Sequence, residues 1–247
     1  MITSVSNDRI KELAKLYQKK YRDLSGKFLV EGDHLVEEAY KAGVLEELFV
    51  LENSSYSYDV PTTEVTYEVL CKISSVDTPS DVVGLCHKKE STISGNKLLL
   101  LDCIQDPGNL GTIIRSSVAF GIDTIVLSLD TVDLYNPKVI RSTQGMFFHT
   151  NVVVADLSDV INDCKKNGIK VYGTNVNNGV DVRNIPDSEL EKFALIMGNE
   201  GNGVRDEIAE MVDTNLYIPM NSVVESLNVG VATSILLYEM GRIKWLR

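Results

Sequence analysis

A chain of 247 residues, 44% hydrophobic and 24% charged, has the composition of a globular protein and excludes a disordered one. At roughly 150 residues per domain, the length predicts one large domain or two modest ones, with a core that needs no staples. The formal charge of −11 argues against a generic basic nucleic-acid binder. That average conceals an asymmetry. Residues 1–27 carry seven Lys and Arg against three acidic residues, residues 28–94 carry four against thirteen, and residues 95–247 carry thirteen against nineteen.

Residues 7–20 read as an amphipathic helix, because Ile10, Leu13, Ala14 and Tyr17 fall at helical spacing, with Ser6 or Asn7 as cap and lysines on the other face. A short strand, Lys27–Val30, leads through Glu31-Gly32-Asp33 into a second helix carrying Leu35, Val36, Ala39 and Tyr40 and stopping at Gly43. Leu48–Leu51 and Val82–Cys86 read as strands, with a short helix near Tyr67–Ile73 between them. The polar, aperiodic stretch Lys89–Lys97 predicts a linker, dividing the chain into domains 1–92 and 97–247.

Beyond the linker, Leu98–Asp102 is a continuous apolar run, as expected of a strand covered on both faces. Similar runs recur at Thr124–Leu127, Val152–Val154, Lys170–Tyr172, Ala194–Met197 and Leu216–Ile218. Helical patterns over Asn109–Phe120, Asp156–Asn167 and Arg205–Val212 separate several of them, which predicts an α/β domain with a mostly parallel sheet. Cys71, Cys86, Cys103 and Cys164 form no CxxC pair, and three histidines supply no zinc spacing. They read as reduced, buried thiols of a cytoplasmic protein without a metal. The amphipathic start is too polar for a signal peptide or a membrane span.

Ligands of open α/β sheets bind beyond the carboxyl ends of the strands, which directs attention to three segments. In Asp102–Ser117, Asp106-Pro107-Gly108 turns the chain and a helix starts near Asn109. Asn109 and Arg115 there can face one anion, although a capped helix with a surface arginine would look the same. In Phe193–Val204, a buried strand runs into Gly198-Asn199-Glu200-Gly201-Asn202-Gly203, where glycines permit close approach of backbone to a ligand. In Leu216–Glu239, a strand stops at Pro219 and Glu225-Ser226-Leu227-Asn228 opens a long helix. Its apolar positions are Val229, Ala232, Leu236, Met240 and Ile243, and Gly230, Ala232, Thr233 and Ser234 keep its first turns thin.

Together the three segments resemble the motifs of the SpoU (TrmH-type) family of RNA ribose 2′-O-methyltransferases, in the SPOUT superfamily. Asn109-x-Gly111-x-x-x-Arg115 resembles the first motif, Met197-Gly198-Asn199-Glu200-Gly201-x-Gly203 the second, and Ile218-Pro219-Met220 with Glu225-Ser226-Leu227-Asn228-Val229 the third. Val132–Lys138 and Arg141-Ser142-x-x-Gly145 resemble the family's central segment, with Gln144 and Met146 where smaller residues are expected. Ser6-Asn7, Lys19-Lys20-Tyr21-Arg22 and Phe28-Leu29-Val30-Glu31-Gly32 resemble the substrate-binding domain that precedes many SpoU catalytic domains. The resemblance implies a small ribosomal-protein L30e-like α/β domain followed by a SPOUT-type domain with a C-terminal deep trefoil knot, an exception to the rule against threading.

It further implies a homodimer, no membrane, and S-adenosylmethionine as methyl donor, contacted by Gly198, Ile218 and Leu227 chiefly through backbone, and also by Thr174 and Met220. The implied catalytic set is Arg115, Asn109, Glu200, Ser226 and Asn228. An unperturbed guanidinium is almost never deprotonated, so Arg115 is expected to hold the 3′-phosphate and stabilise the developing alkoxide rather than act as base. Asn109, Ser226 and Asn228 would hold substrate or orient Arg115, and Glu200 would fix an active-site loop or pair with Arg115, within the chain or across the dimer. Lys15, Lys19, Lys20, Arg22 and Arg141 are the expected RNA contacts. The N-terminal domain favours large-subunit (23S) ribosomal RNA over transfer RNA. A SpoU-like RNA binder without activity would lack reason to keep this catalytic set, and an unrelated nucleotide-dependent enzyme would show a Gly-rich fingerprint that Pro107-Gly108-Asn109-Leu110-Gly111 does not supply.

Overall fold

The computed structural model describes residues 1–175 and 179–242. In chain order the elements are α1 (Asp8–Lys15), α2 (Lys19–Ser25), β1 (Lys27–Glu31), α3 (Asp33–Lys41), β2 (Leu45–Leu51), β3 (Thr62–Val65), α4 (Tyr67–Ile73) and β4 (Val82–His87). There follow β5 (Lys97–Leu101), α5 (Pro107–Ala119), β6 (Thr124–Leu127), α6 (Pro137–Thr143), β7 (Asn151–Val154), α7 (Leu157–Lys166) and β8 (Lys170–Thr174). The last are β9 (Val180–Asp181), β10 (Phe193–Met197), α8 (Asp206–Ala209), β11 (Thr214–Tyr217) and α9 (Val229–Gly241). They form two units: residues 1–90 with 133–149, and residues 91–132 with those from Thr150 onward.

In the first unit the sheet order is β1-β4-β2-β3, with β4 antiparallel to both neighbours and β3 parallel to β2. Ile10, Leu13 and Leu16 pack with Val69, Leu70 and Ile73 of α4 onto Phe49 and Leu85 of the sheet. The single helix predicted over 7–20 is broken in two. The apolar period continues through Tyr17, but tertiary bonds override it: the Tyr17 hydroxyl donates to the Ile73 carbonyl, and the Arg22 guanidinium donates to the Leu16 carbonyl at 2.7 Å. The basic stretch therefore gives its apolar face and Arg22 to this unit's core.

Arg22 corrects the list of RNA contacts. Its side chain is buried and ion-paired with Asp133, because a guanidinium removed from water needs a carboxylate and carbonyls around it. Arg141 is half-buried and donates to Ser75 Oγ. Lys15, Lys19 and Lys20 remain exposed. The thiols also differ from expectation: Cys86 and Cys164 are buried, but Cys103 is only partly covered and Cys71 is exposed on α4.

In the second unit seven strands lie in the order β7-β6-β5-β10-β8-β11-β9, every pair parallel. The apolar runs read from the sequence are its strands, and Leu98, Leu100, Val126, Val171, Ala194 and Ile196 pack with Ile161 and Cys164 of α7. Helix α5 starts at Pro107, ahead of the expected Asn109, because Asp106 caps it by accepting from the Asn109 amide at 2.8 Å. Helix α8 is much shorter than the predicted Arg205–Val212. Asp213 exchanges hydrogen bonds with Val171, drawing the chain out of the helix and into the sheet. Strand β9 and helix α6 carried too little periodicity to be predicted. Ile243 lies outside the described residues. Among the described residues no helix is long and apolar enough to cross a membrane, and no group of three His, Cys, Asp or Glu is placed to hold a metal ion.

Leaving one partner of a buried ion pair uncompensated costs about 3–5 kcal/mol, whereas replacing both by apolar residues costs far less. Arg22→Met should therefore lower the urea midpoint of the first unit strongly, and the double variant Arg22→Met/Asp133→Leu should recover part of the loss.

Candidate active site

Strands β5 and β10 are parallel neighbours, with Leu101 opposite Met197, so the loops beyond their carboxyl ends lie side by side. The residue after each strand begins a cross-connection. The Asp102 carboxylate is fully buried and accepts from the Arg205 backbone amide at 2.9 Å and from the guanidinium Nε at 2.9 Å. Cys103 next to it turns the chain at a positive φ of 57°, and its carbonyl accepts from Asn199 Nδ2 at 2.7 Å.

Glu200 continues the link. Its carboxylate accepts from the backbone amides of Gln105 (3.3 Å) and Asp106 (3.2 Å) and from Asn109 Nδ2 (3.0 Å). Partial burial pushes this carboxyl up, but the hydrogen bonds from Asn109 and the amides outweigh it and hold the group below the usual glutamate range. Asn109 Oδ1 in turn accepts from Asn228 Nδ2 at 2.9 Å, and Asn228 Oδ1 caps α9 by accepting from the Gly230 and Val231 amides. One chain of hydrogen bonds thus joins the three segments singled out in the sequence. The Asn109 amide faces Glu200 rather than an external anion, and Glu200 fixes the loop and makes no contact with Arg115 in this chain.

The loop after β10 is a tight hairpin. Asn199 and Gly203 exchange backbone hydrogen bonds at 2.9 and 3.0 Å, and Asn199 Oδ1 accepts from the Gly201 and Asn202 amides. A side chain at Gly198 would place its Cβ 2.2 Å from the Gly203 carbonyl carbon and the Val204 nitrogen, so only glycine fits. Beside the hairpin, the ends of β8, β10 and β11 and the start of α9 enclose a cleft of about 710 Å³. That lies within the roughly 300–1,000 Å³ range of small-molecule sites. Thr174, Gly198, Ile218, Met220 and Leu227, the five expected cofactor contacts, all line it, and so do Glu200, Ser226 and Asn228.

Helices α5 and α9 meet through small residues. The ideal Cβ of Gly230 would sit 3.2 Å from Thr112 Cγ2, and Ser116 and Ser234 share a hydroxyl hydrogen bond of 2.6 Å. Arg115 is exposed on α5, makes no ion pair or hydrogen bond among the described residues, and does not line the cleft. Asn109 likewise lies outside the cleft, joined to it through Glu200 and Asn228. Sequence reasoning missed Asp102 and Arg205. A carboxylate closing the apolar run Leu98–Leu101 was the available signal, since a charge buried at that point requires a partner.

The SpoU rRNA Methylase family matches residues 96–238, and the chain belongs to that family. The MRM3-like substrate binding domain matches residues 7–84. The chain is 42% identical, over 97% of its length and 98% of the relative's, to the 23S rRNA (guanosine(2553)-2′-O)-methyltransferase RlmP of Bacillus subtilis. It superposes with a TM-score of 0.87 and 31% identity on an AdoMet-bound rRNA methyltransferase from Sinorhizobium meliloti, covering 98% of this chain and 97% of that one. The SpoU methyltransferase AviRb from Streptomyces viridochromogenes shares the fold at a TM-score of 0.85 and 24% identity, covering 96% of this chain and 98% of that one.

Gly198→Ala should open the hairpin and speed hydrogen exchange at the Asn199 and Gly203 amides by at least tenfold, about 1.4 kcal/mol of lost protection. Glu200→Gln should lower the melting temperature at pH 7 by roughly 2–4 °C, the effect of about 1 kcal/mol in a chain of this size. The folded-state carboxyl is depressed, so its contribution is present above the unfolded value of about 4.3 and is lost as pH falls through the lower folded value. Differential scanning calorimetry across that window should show the two proteins converge in acid.

Proposed function

We propose that this protein transfers a methyl group from S-adenosylmethionine to a ribose 2′-hydroxyl in 23S ribosomal RNA. The observation that carries the reading is the single hydrogen-bonded chain Glu200–Asn109–Asn228, which ties the helix bearing Arg115 to the loops lining the cleft. The glycine cradle at Gly198 and the apolar walls at Ile218, Met220 and Leu227 fit an adenosyl group, and Thr174 adds a hydroxyl at the β8 end. S-Adenosylmethionine, when bound, supplies an electrophilic methyl on a sulfonium sulfur.

The residues of the chain then have to position a hydroxyl and stabilise charge, since positioning dominates when the transferred group is already activated. Arg115, whose guanidinium has no partner among the described residues, holds the phosphate 3′ to the target ribose and stabilises negative charge on the 2′-oxygen as its proton passes to solvent water. Ser226, exposed at the cleft, offers a hydroxyl to the substrate. Asn109 and Asn228 act by holding α5 and α9 in register, and Glu200 by holding the loop before α5. Lys15, Lys19 and Lys20 contact RNA phosphates.

Several finer features belong to the same reading. The first unit, which takes in residues 133–149 as well as the expected 1–92 region, is an L30e-like substrate-binding domain, and the rest of the expected 97–247 span forms the catalytic domain. The close backbone contact at Gly198 and the insertion of β10 between β5 and β8 support a deep trefoil knot. The apolar circumference of α9, with Val231 and Tyr238 exposed, supports a homodimer. Ribosomal RNA as substrate supports a cytoplasmic location.

Arg115→Ala and Arg115→Lys are both expected to lose methyl transfer by at least 10²-fold, comparable to removal of one preorganised oxyanion donor, with cofactor affinity kept. Wild-type-like turnover by Arg115→Ala would contradict the assignment. Mass-spectrometric mapping of 2′-O-methyl marks in RNA from cells with and without the protein should show one 23S position lost. An unchanged map would refute the substrate.

A further inference from the structure

We propose that the groove between α1 and α2 receives an unstacked nucleobase of the RNA, with the Tyr21 ring as its stacking surface. The proposal rests on the RNA-methylating reading above and adds the place and chemistry of the contact. The groove encloses about 430 Å³ over a floor of Leu13, Leu16 and Leu85. Its wall is Tyr21 and Leu24, and Leu24 is 81% exposed, an unusual position for a leucine on a seven-residue helix. The Lys15 and Lys20 ammonium groups stand 5.7 and 5.9 Å from the centroid of the Tyr21 ring.

Charge decides the occupant. Arg9 pairs with Glu47 and with Glu12 at the groove rim, Lys11 pairs with Asp8, and Lys27 pairs with Glu46. Among the described residues no carboxylate comes within ion-pair distance of Lys15, Lys19 or Lys20. In a chain of net charge −11, the Lys15 and Lys20 ammonium groups beside the half-buried Tyr21 ring, with Lys19 exposed on the same helix as Tyr21, make a surface for a polyanion that also carries flat apolar rings. Single-stranded RNA is that polymer: its bases stack on aromatic side chains and its phosphates take the lysines. Arg22, between Tyr21 and Asp23 in the sequence, points the other way into its ion pair with Asp133 and so anchors α2 beneath the groove.

The test uses the full-length protein and in vitro transcribed 23S rRNA in filter binding at several salt concentrations, with S-adenosylmethionine affinity measured in parallel. Base–aromatic stacking contributes roughly 1–3 kcal/mol, so Tyr21→Leu should weaken RNA binding by about 5- to 150-fold. Tyr21→Phe should bind within about twofold of wild type, because the ring is kept. Leu24→Ser alters a side chain that folding leaves in solvent, and it should weaken binding in the same direction. Lys20→Ala should reduce the salt slope by about 0.7–0.9. Cofactor affinity should not change in any of them. RNA binding by Tyr21→Leu and Leu24→Ser equal to wild type overturns the proposal, and is also the result if the groove takes a partner protein. Failure of the wild-type protein to retain 23S rRNA overturns instead the substrate reading on which the proposal stands.

Discussion

The site depends on one carboxylate accepting hydrogen bonds from two backbone amides and a side-chain amide. Glu200 sits on the hairpin after β10 and reaches the turn before α5, and Asn109 on that helix passes the connection to Asn228 at the head of α9. Each group is short and polar, and each would be poorly placed without the next. The parallel pairing of β5 with β10 makes the arrangement possible, because it brings both strand ends to one edge. A buried Asp102 bound to Arg205 holds the same two loops from below. Preorganisation of this kind suits a transfer whose electrophile arrives activated, since the protein then has mainly to fix distances.

Much of the architecture was legible in residue order. The apolar runs at Leu98–Leu101, Thr124–Leu127 and Ala194–Met197 became central strands of a parallel sheet because residues buried on both faces must be apolar throughout, whatever the tertiary detail. Helix α4 fell on the residues that periodicity indicated. The break between α1 and α2 was not legible: Tyr17 keeps the helical spacing, and only partners distant in sequence, Ile73 and Asp133, reveal that the chain turns there. The same distance effect hid the role of Arg22, whose basic neighbours on both sides gave it the look of a surface residue. Residues 133–149 belong to the first unit although they follow α5 and β6 in the chain, and no local pattern announces that return.

At the site, residue types were legible and partners were not. Gly198, Thr174, Ile218, Met220 and Leu227 converge on one cleft although they span more than fifty positions, and it was the family resemblance that indicated them. The sequence offered two partners for Glu200, a loop or Arg115, and within the chain it is bound to the backbone amides of Gln105 and Asp106. Arg115 has no side-chain partner among the described residues. The charge asymmetry resolves in a similar way. The negative average describes most of the surface, while Lys15, Lys19 and Lys20 are exposed together on one pair of helices.

The central claim, methylation of a ribose oxygen, has a direct chemical test. Alkali cleaves RNA by attack of the 2′-hydroxyl on the adjacent phosphate, and a methyl on that oxygen prevents it. The protein is incubated with in vitro transcribed 23S rRNA and S-adenosylmethionine labelled in the methyl group, and the RNA is then digested to completion in alkali. Label recovered in an alkali-resistant dinucleotide is the predicted result. Label recovered in mononucleotides, which places the methyl on a base, would contradict it.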